Sequence, residues 1–314
     1  MWYRFPSELV NKLGRIDGDV QKLLILGLFG LIAQLVDGTL GMAYGVTTTT
    51  LLLTAGAAPA IASATVHLAE VGTTLASGTA HWRFGNVNWR TVGLMAVPGA
   101  VAAFIGAVIL SSLSAELAEP WVAAILFSLG VYILWRFSHR RQPVEPKGEP
   151  KGFRAVFLSP LGAFAGLIDA MGGGGWGPIG TSSLLASGRL EPRKVVGSID
   201  TSEFLVTLGA SAGFLVALSF TQINIGWLVA LLVGGLIAAP IAAWLVRKLP
   251  ARVLGAAVGG LIVVTNTKTF GEAVGAPSEA LVAAYVLFVA VWIAAVASAV
   301  VAVRRDLRAT PQPA

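Results

Sequence analysis

The chain has 314 residues, of which 55% are hydrophobic and only 12% charged. Soluble domains carry about 25% charged residues, so a bilayer is the expected surrounding. The net charge of +6 is scattered over short loops, which excludes a nucleic-acid patch, and the lack of cysteine excludes disulfides and thiol chemistry.

Residues 1–22 lack a signal-peptide layout, because Glu8, Asp17 and Asp19 interrupt the basic residues. They are expected to lie on the membrane surface as an interfacial segment anchored by Trp2, Tyr3 and Phe5. Two short apolar pieces follow, at about 22–38 and 44–56, separated by a glycine-containing break. Longer apolar runs come next, at about 59–81, 91–111 and 120–138. A polar linker, 139–152, precedes a second set: short pieces at 153–170 and 176–188, then runs at 192–214, 226–247 and 252–270. A last apolar run, 279–303, has no counterpart in the first set, and residues 304–314 form a tail.

The two sets are one unit duplicated, a first repeat at 23–138 and a second at 153–271. The stretch LVDGTLGMAYGVTTTTLLLTAG, from Leu35, lies over LIDAMGGGGWGPIGTSSLLASG, from Leu167, without a gap. Asp37 falls on Asp169, Gly41 on Gly173, Tyr44 on Trp176, Gly45 on Gly177 and Thr49 on Thr181. With one residue inserted, Pro59 falls on Pro192, His67 on Asp200 and Glu70 on Glu203. Pieces of this length at ~1.5 Å per residue fall short of or barely reach the ~30 Å hydrocarbon core. Each pair therefore reads as a re-entrant hairpin whose tip stops inside the membrane.

Loop charge gives an orientation. The linker carries Arg140, Arg141, Lys147 and Lys151, so it is expected in the cytoplasm with the Arg-rich tail. The loops at 111–119, 215–225 and 271–279 hold no Lys or Arg and are expected outside. With re-entrant hairpins, each unit crosses an odd number of times, so the second is inverted relative to the first. The predicted fold is an all-α integral membrane protein: two inverted repeats, each a glycine-broken hairpin plus three transmembrane helices, with one extra C-terminal helix.

Backbone broken inside hydrocarbon survives only where protein or a wet cavity surrounds it. Gly172, Gly173, Gly174 and Gly175 therefore point to a binding site, although glycines also serve tight helix packing. The substrate-binding candidates are Gly41, Tyr44, Gly45, Thr48 and Thr49 in one half. Their counterparts are Gly173, Gly174, Gly175, Trp176, Gly177, Thr181 and Ser182. Helix starts after the breaks offer N–H groups, and the hydroxyls beside them suit a small oxyanion; the same hydroxyls can also bond back along their own helix. Ionisable residues inside spans cost ~2.5–3.5 kcal/mol each on insertion scales. Asp37, His67, Glu70, Asp169, Asp200 and Glu203 are therefore coupling or gating candidates, with a purely structural, capping role as the alternative for the aspartates. His81 and His139 stand singly at run edges. No residues cluster at metal-ligand spacing and no phosphate loop is complete, so neither catalysis, a metal nor a cofactor is expected.

The wording VDGTLGMAYG and IDAMGGGGWGP resembles the TauE/SafE family, also called the toluene-sulfonate uptake permease family, over residues 25 to 303. The resemblance implies a secondary carrier of small sulfur oxyanions or organosulfonates in the bacterial plasma membrane, often an exporter. The family's glycine motif corresponds to Gly172–Gly175; the matching run Gly38–Ala43 keeps only two glycines and departs from it. The expected partners are a small anionic substrate and the lipid bilayer, with no nucleic acid. A membrane-embedded anion sensor or assembly protein is the other reading.

Overall fold

The computed structural model describes residues 7–138, 154–187, 189–218, 222–245 and 251–309. The linker expected at 139–152, the anchors Trp2, Tyr3 and Phe5, and His139 lie outside them. Among the described residues the chain forms eleven helices and no strand. The first half contains α1 (Ser7–Leu40), α2 (Tyr44–Thr54), α3 (Pro59–Arg83), α4 (Trp89–Ser112) and α5 (Ala115–Ser138). The second contains α6 (Ala155–Gly172), α7 (Trp176–Ser187), α8 (Pro192–Ala217), α9 (Ile225–Leu245) and α10 (Ala251–Ala273). The last helix is α11 (Ser278–Ala309).

Local chemistry sets the boundaries. Pro59 and Pro192 open α3 and α8, where a missing N–H costs nothing. Asn88 accepts from Thr91 N at 3.0 Å to cap α4, and Asn224 accepts from Trp227 N at 3.1 Å to cap α9. Three edges differ from expectation. α1 runs unbroken from Ser7, so the lead-in is continuous with the first helix. α5 starts at Ala115, taking Glu116 and Glu119 into its first turns, and α11 carries Arg304 and Arg305 as helix.

Among the described residues seven helices are long and apolar enough to cross a membrane: parts of α1, α4, α5, α6, α8, α9 and α11. α1 and α6, expected as the short first arms of re-entrant hairpins, are thus long enough to span. The protein is a multi-pass membrane protein. α2 and α7, with 11 and 12 residues, span about half of the ~30 Å core at ~1.5 Å per residue. α3 is long but too polar to pass the same test. The packing explains how it is tolerated: α3 is flanked by α2, α8 and α9, and Ser63, His67, Glu70, Thr74, Ser77 and His81 are all buried.

The helices pair in matched sets: α1 against α9 and α6 against α4; α3 against α9 and α8 against α4. α3 and α8 pack on each other, as do α5 and α10. α3 and α8 are antiparallel: His67 meets Phe214 with ring centroids 5.9 Å apart, while fourteen residues on, His81 Nε2 lies 3.7 Å from Asp200 Oδ2. α5 and α10 are antiparallel too, with Phe127 stacked on Phe270 and Ser138 O accepting from Arg252 Nη2. Small residues allow the close approaches: Gly27 packs on Ala230, Gly38 on Ala242, Gly162 on Met95 and Gly106 on Leu167.

Candidate substrate and coupling site

The two breaks meet tip to tip, level with the middle of α3 and α8. Gly41 and Gly173, equivalent in sequence, adopt the left-handed conformation (φ 66 and 65) at the ends of α1 and α6. Thr49 Oγ1 donates to Gly173 O at 2.6 Å, and Thr181 Oγ1 donates to Gly41 O at 2.6 Å. A Cβ on Gly45 would sit 2.8 Å from Gly173 O; one on Gly177 would sit 2.6 Å from Gly41 O and from Met42 Cα. A Cβ on Gly174 would collide with the backbone of Gly45 and Val46. The close approach these glycines permit is thus, first of all, that of one break to the other. Gly175 instead lies against Asp169 of its own hairpin.

The aspartates serve the helix starts. Asp37 Oδ1 accepts from Tyr44 N at 3.2 Å, and Asp169 Oδ1 accepts from Trp176 N at 2.9 Å. Each satisfies an N–H that a broken helix would otherwise leave free. Tyr44 and Trp176 are buried in the body: Tyr44 Oη donates to Leu231 O at 3.3 Å, and Trp176 Nε1 to Ile199 O at 3.1 Å. Thr48 Oγ1 bonds back to Tyr44 O at 2.7 Å, the usual fate of a helical threonine. The hydroxyls of Thr47 and Ser182, beside the tips, are buried without a hydrogen-bond partner.

All six coupling candidates are buried, and they gather into two groups that each draw on both halves. His67 Nδ1 lies 3.2 Å from Glu70 Oε2 and its Nε2 lies 3.6 Å from Asp169 Oδ2. In the equivalent group, Asp37, Asp200 and Glu203 each bring a carboxylate oxygen within 4.8 Å of the others. No spacing along the chain forecasts that cluster, because its members come from α1 and α8.

Three residues emerge to which sequence reasoning gave no role in the site. His81, expected at a run edge, is buried beside Asp200. Its signal was periodic: His67, Glu70, Thr74, Ser77 and His81 recur at helical spacing and form one polar stripe of α3. Ser63 donates to Ala170 O at 2.7 Å and ties α3 to the end of α6. Asn266, near the exposed Lys268–Glu272 pair, donates to Thr50 Oγ1 at 3.0 Å and joins α10 to α2.

Paired helix breaks among buried ionisable groups are a feature that secondary transporters use, and kinship makes this chain a membrane transporter. The chain belongs to the Sulfite exporter TauE/SafE family, whose model matches residues 26–269. It is 47% identical over 278 residues to the "Probable membrane transporter protein YtnM" of Bacillus subtilis (strain 168), covering 88% of this chain and 92% of that protein. No solved structure matches it significantly.

Proposed function

We propose that this protein is a secondary-active carrier of a small anion, sulfite or an organosulfonate, in the bacterial plasma membrane, working by alternating access. The observation that carries the reading is the meeting of two equivalent helix breaks at the molecular centre, in a chain of the sulfite exporter family. The antiparallel run of α3 against α8, and of α5 against α10, supports an inverted repeat, with the two halves rocking about the tip-to-tip contact. The linker and C-terminal tail are cytoplasmic in this scheme. The buried hydroxyls of Thr47 and Ser182 are free to donate to an oxyanion, while Thr49 and Thr181 hold the tips together.

Coupling follows from charge. Asp37, Glu70, Asp169, Asp200 and Glu203 surround the breaks, and an anion entering beside five carboxylates is repelled unless positive charge comes with it. The anion therefore crosses with a proton, carried on Glu70 or Glu203. Purified protein in proteoliposomes tests the whole reading. Sulfite flux that rises with an imposed proton gradient supports it. Sulfite binding without flux makes the protein an anion sensor, and flux indifferent to the gradient makes it a uniporter.

A further inference from the structure

The two charged groups occupy equivalent positions but differ in one residue. In the first, the imidazole of His67 stands between the carboxylates of Glu70 and Asp169, at 3.2 and 3.6 Å. In the second, the position of His67 is taken by Asp200, so three carboxylates, from Asp37, Asp200 and Glu203, face one another within 4.8 Å. All three are buried, and Asp200 is only 1% exposed. The Ser77 hydroxyl lies beside Asp200, but no hydrogen bond of good geometry reaches either oxygen of this carboxylate. His81 approaches Asp200 alone, with Nε2 3.7 Å from Oδ2, and is not between the three carboxylates as His67 is between its two.

Like charges this close and this dry cannot stand together uncompensated. The donors are all carboxylate oxygens, which select hard cations over zinc or copper. Oxygens ~2.3–2.6 Å from a calcium ion stand up to ~5 Å apart, which fits their spacing, whereas magnesium demands a tighter octahedron. We propose that Asp37, Asp200 and Glu203 form a binding site for a hard, oxygen-ligated cation of sodium or calcium size. The cation takes the place that the imidazole of His67 fills in the other half. With it bound, Glu70 is left as the proton carrier.

The test reads binding, not transport, so it stands apart from the anion assignment. Full-length protein in detergent is titrated calorimetrically with NaCl against choline chloride, and separately with CaCl2. Saturable heat for sodium or for calcium, at one equivalent per chain, is expected, and which salt gives it names the ion. Asp200→His, which copies the other half, and Asp200→Asn should both lose that heat. His67→Asp should gain a second equivalent. A melting-temperature rise of the wild type in the same ion gives a second readout that needs no variant. A wild type with neither saturable heat nor a thermal shift overturns the proposal, as does Asp200→Asn binding like the wild type or His67→Asp gaining nothing.

Discussion

The two charged groups at the centre are copies of one design with different neighbours. Around His67 the group is internally compensated and closed: the imidazole lies between two carboxylates, and Phe214 covers its ring at 5.9 Å. Around Asp200 the group is purely acidic, and the position equivalent to Phe214 holds His81. A polar stripe, Thr74, Ser77 and His81, therefore leads along α3 from the acidic group toward the end of that helix at Arg83. On α8 the equivalent stripe stops at Phe214, which is fully buried. The two sites are equivalent in sequence, and substitution at two helical positions gave one an imidazole and an aromatic cover, the other a third carboxylate and a polar stripe. Under the inverted-repeat arrangement proposed above, these differences would face opposite sides of the membrane and give a symmetric frame a direction.

The largest expected effect comes from separating the tips. Gly174 abuts the backbone of Gly45 and Val46, while its equivalent in the first half is Met42. Gly174→Val forces backbone against backbone and should cost about 3 kcal/mol or more, seen as loss of most monodisperse protein after extraction. A normal yield would mean that the breaks separate easily and that the tip contact is not what positions the site.

Next comes a contrast between the aspartates. Both accept an N–H, but Asp169 also faces His67 whereas Asp37 faces two carboxylates. Asp169→Asn keeps the acceptor and removes a favourable charge, and should lower stability by about 2 kcal/mol. Asp37→Asn relieves repulsion, and in buffer free of sodium and calcium should raise the melting temperature. Equal shifts for both variants would dissolve the distinction between the two groups.

Transport against pH sharpens the same comparison. An anion that loads together with a proton on Glu70 moves more slowly as pH rises on the loading side, because fewer carriers hold the proton. Glu70→Gln should flatten that dependence and slow flux about tenfold, equivalent to ~1.4 kcal/mol in the barrier. A profile unchanged from wild type would remove Glu70 from the coupling path.

Much of this frame was legible in the chain. The overlay of Leu35–Gly56 on Leu167–Gly188 located both breaks, and Gly41 and Gly173 do share the left-handed turn that ends α1 and α6. Breaks and helix ends are local events, written in proline, glycine and asparagine at fixed offsets. The grouping of side chains was not legible. Asp37 reaches Asp200 and Glu203 only because α1 and α8 converge, and hydroxyls after a break read the same whether they meet a ligand or, like Thr49 and Thr181, the opposite backbone. His81 was recoverable from the periodic polar stripe of α3, but only burial distinguishes such a stripe from a solvated edge.

The smallest effect tests how closely the halves were tuned. Among the described residues Ala43 is the sole non-glycine with positive φ, at 107, and it immediately precedes α2. A Cβ in left-handed backbone costs ~1–2 kcal/mol, which the surrounding contacts must offset. The equivalent residue of the second half is Gly175, within the four-glycine run. Ala43→Gly removes the steric cost but adds freedom to the unfolded chain, so the net gain should be about 0.5–1 kcal/mol. A thermal melt of the detergent-solubilised variant would read it as a small rise in Tm. The rise should come with flux unchanged if the alanine is only a relic of duplication. If the melt rises while flux falls, the strained turn belongs to the moving part of the first hairpin, and the two breaks differ in mechanics as well as in charge.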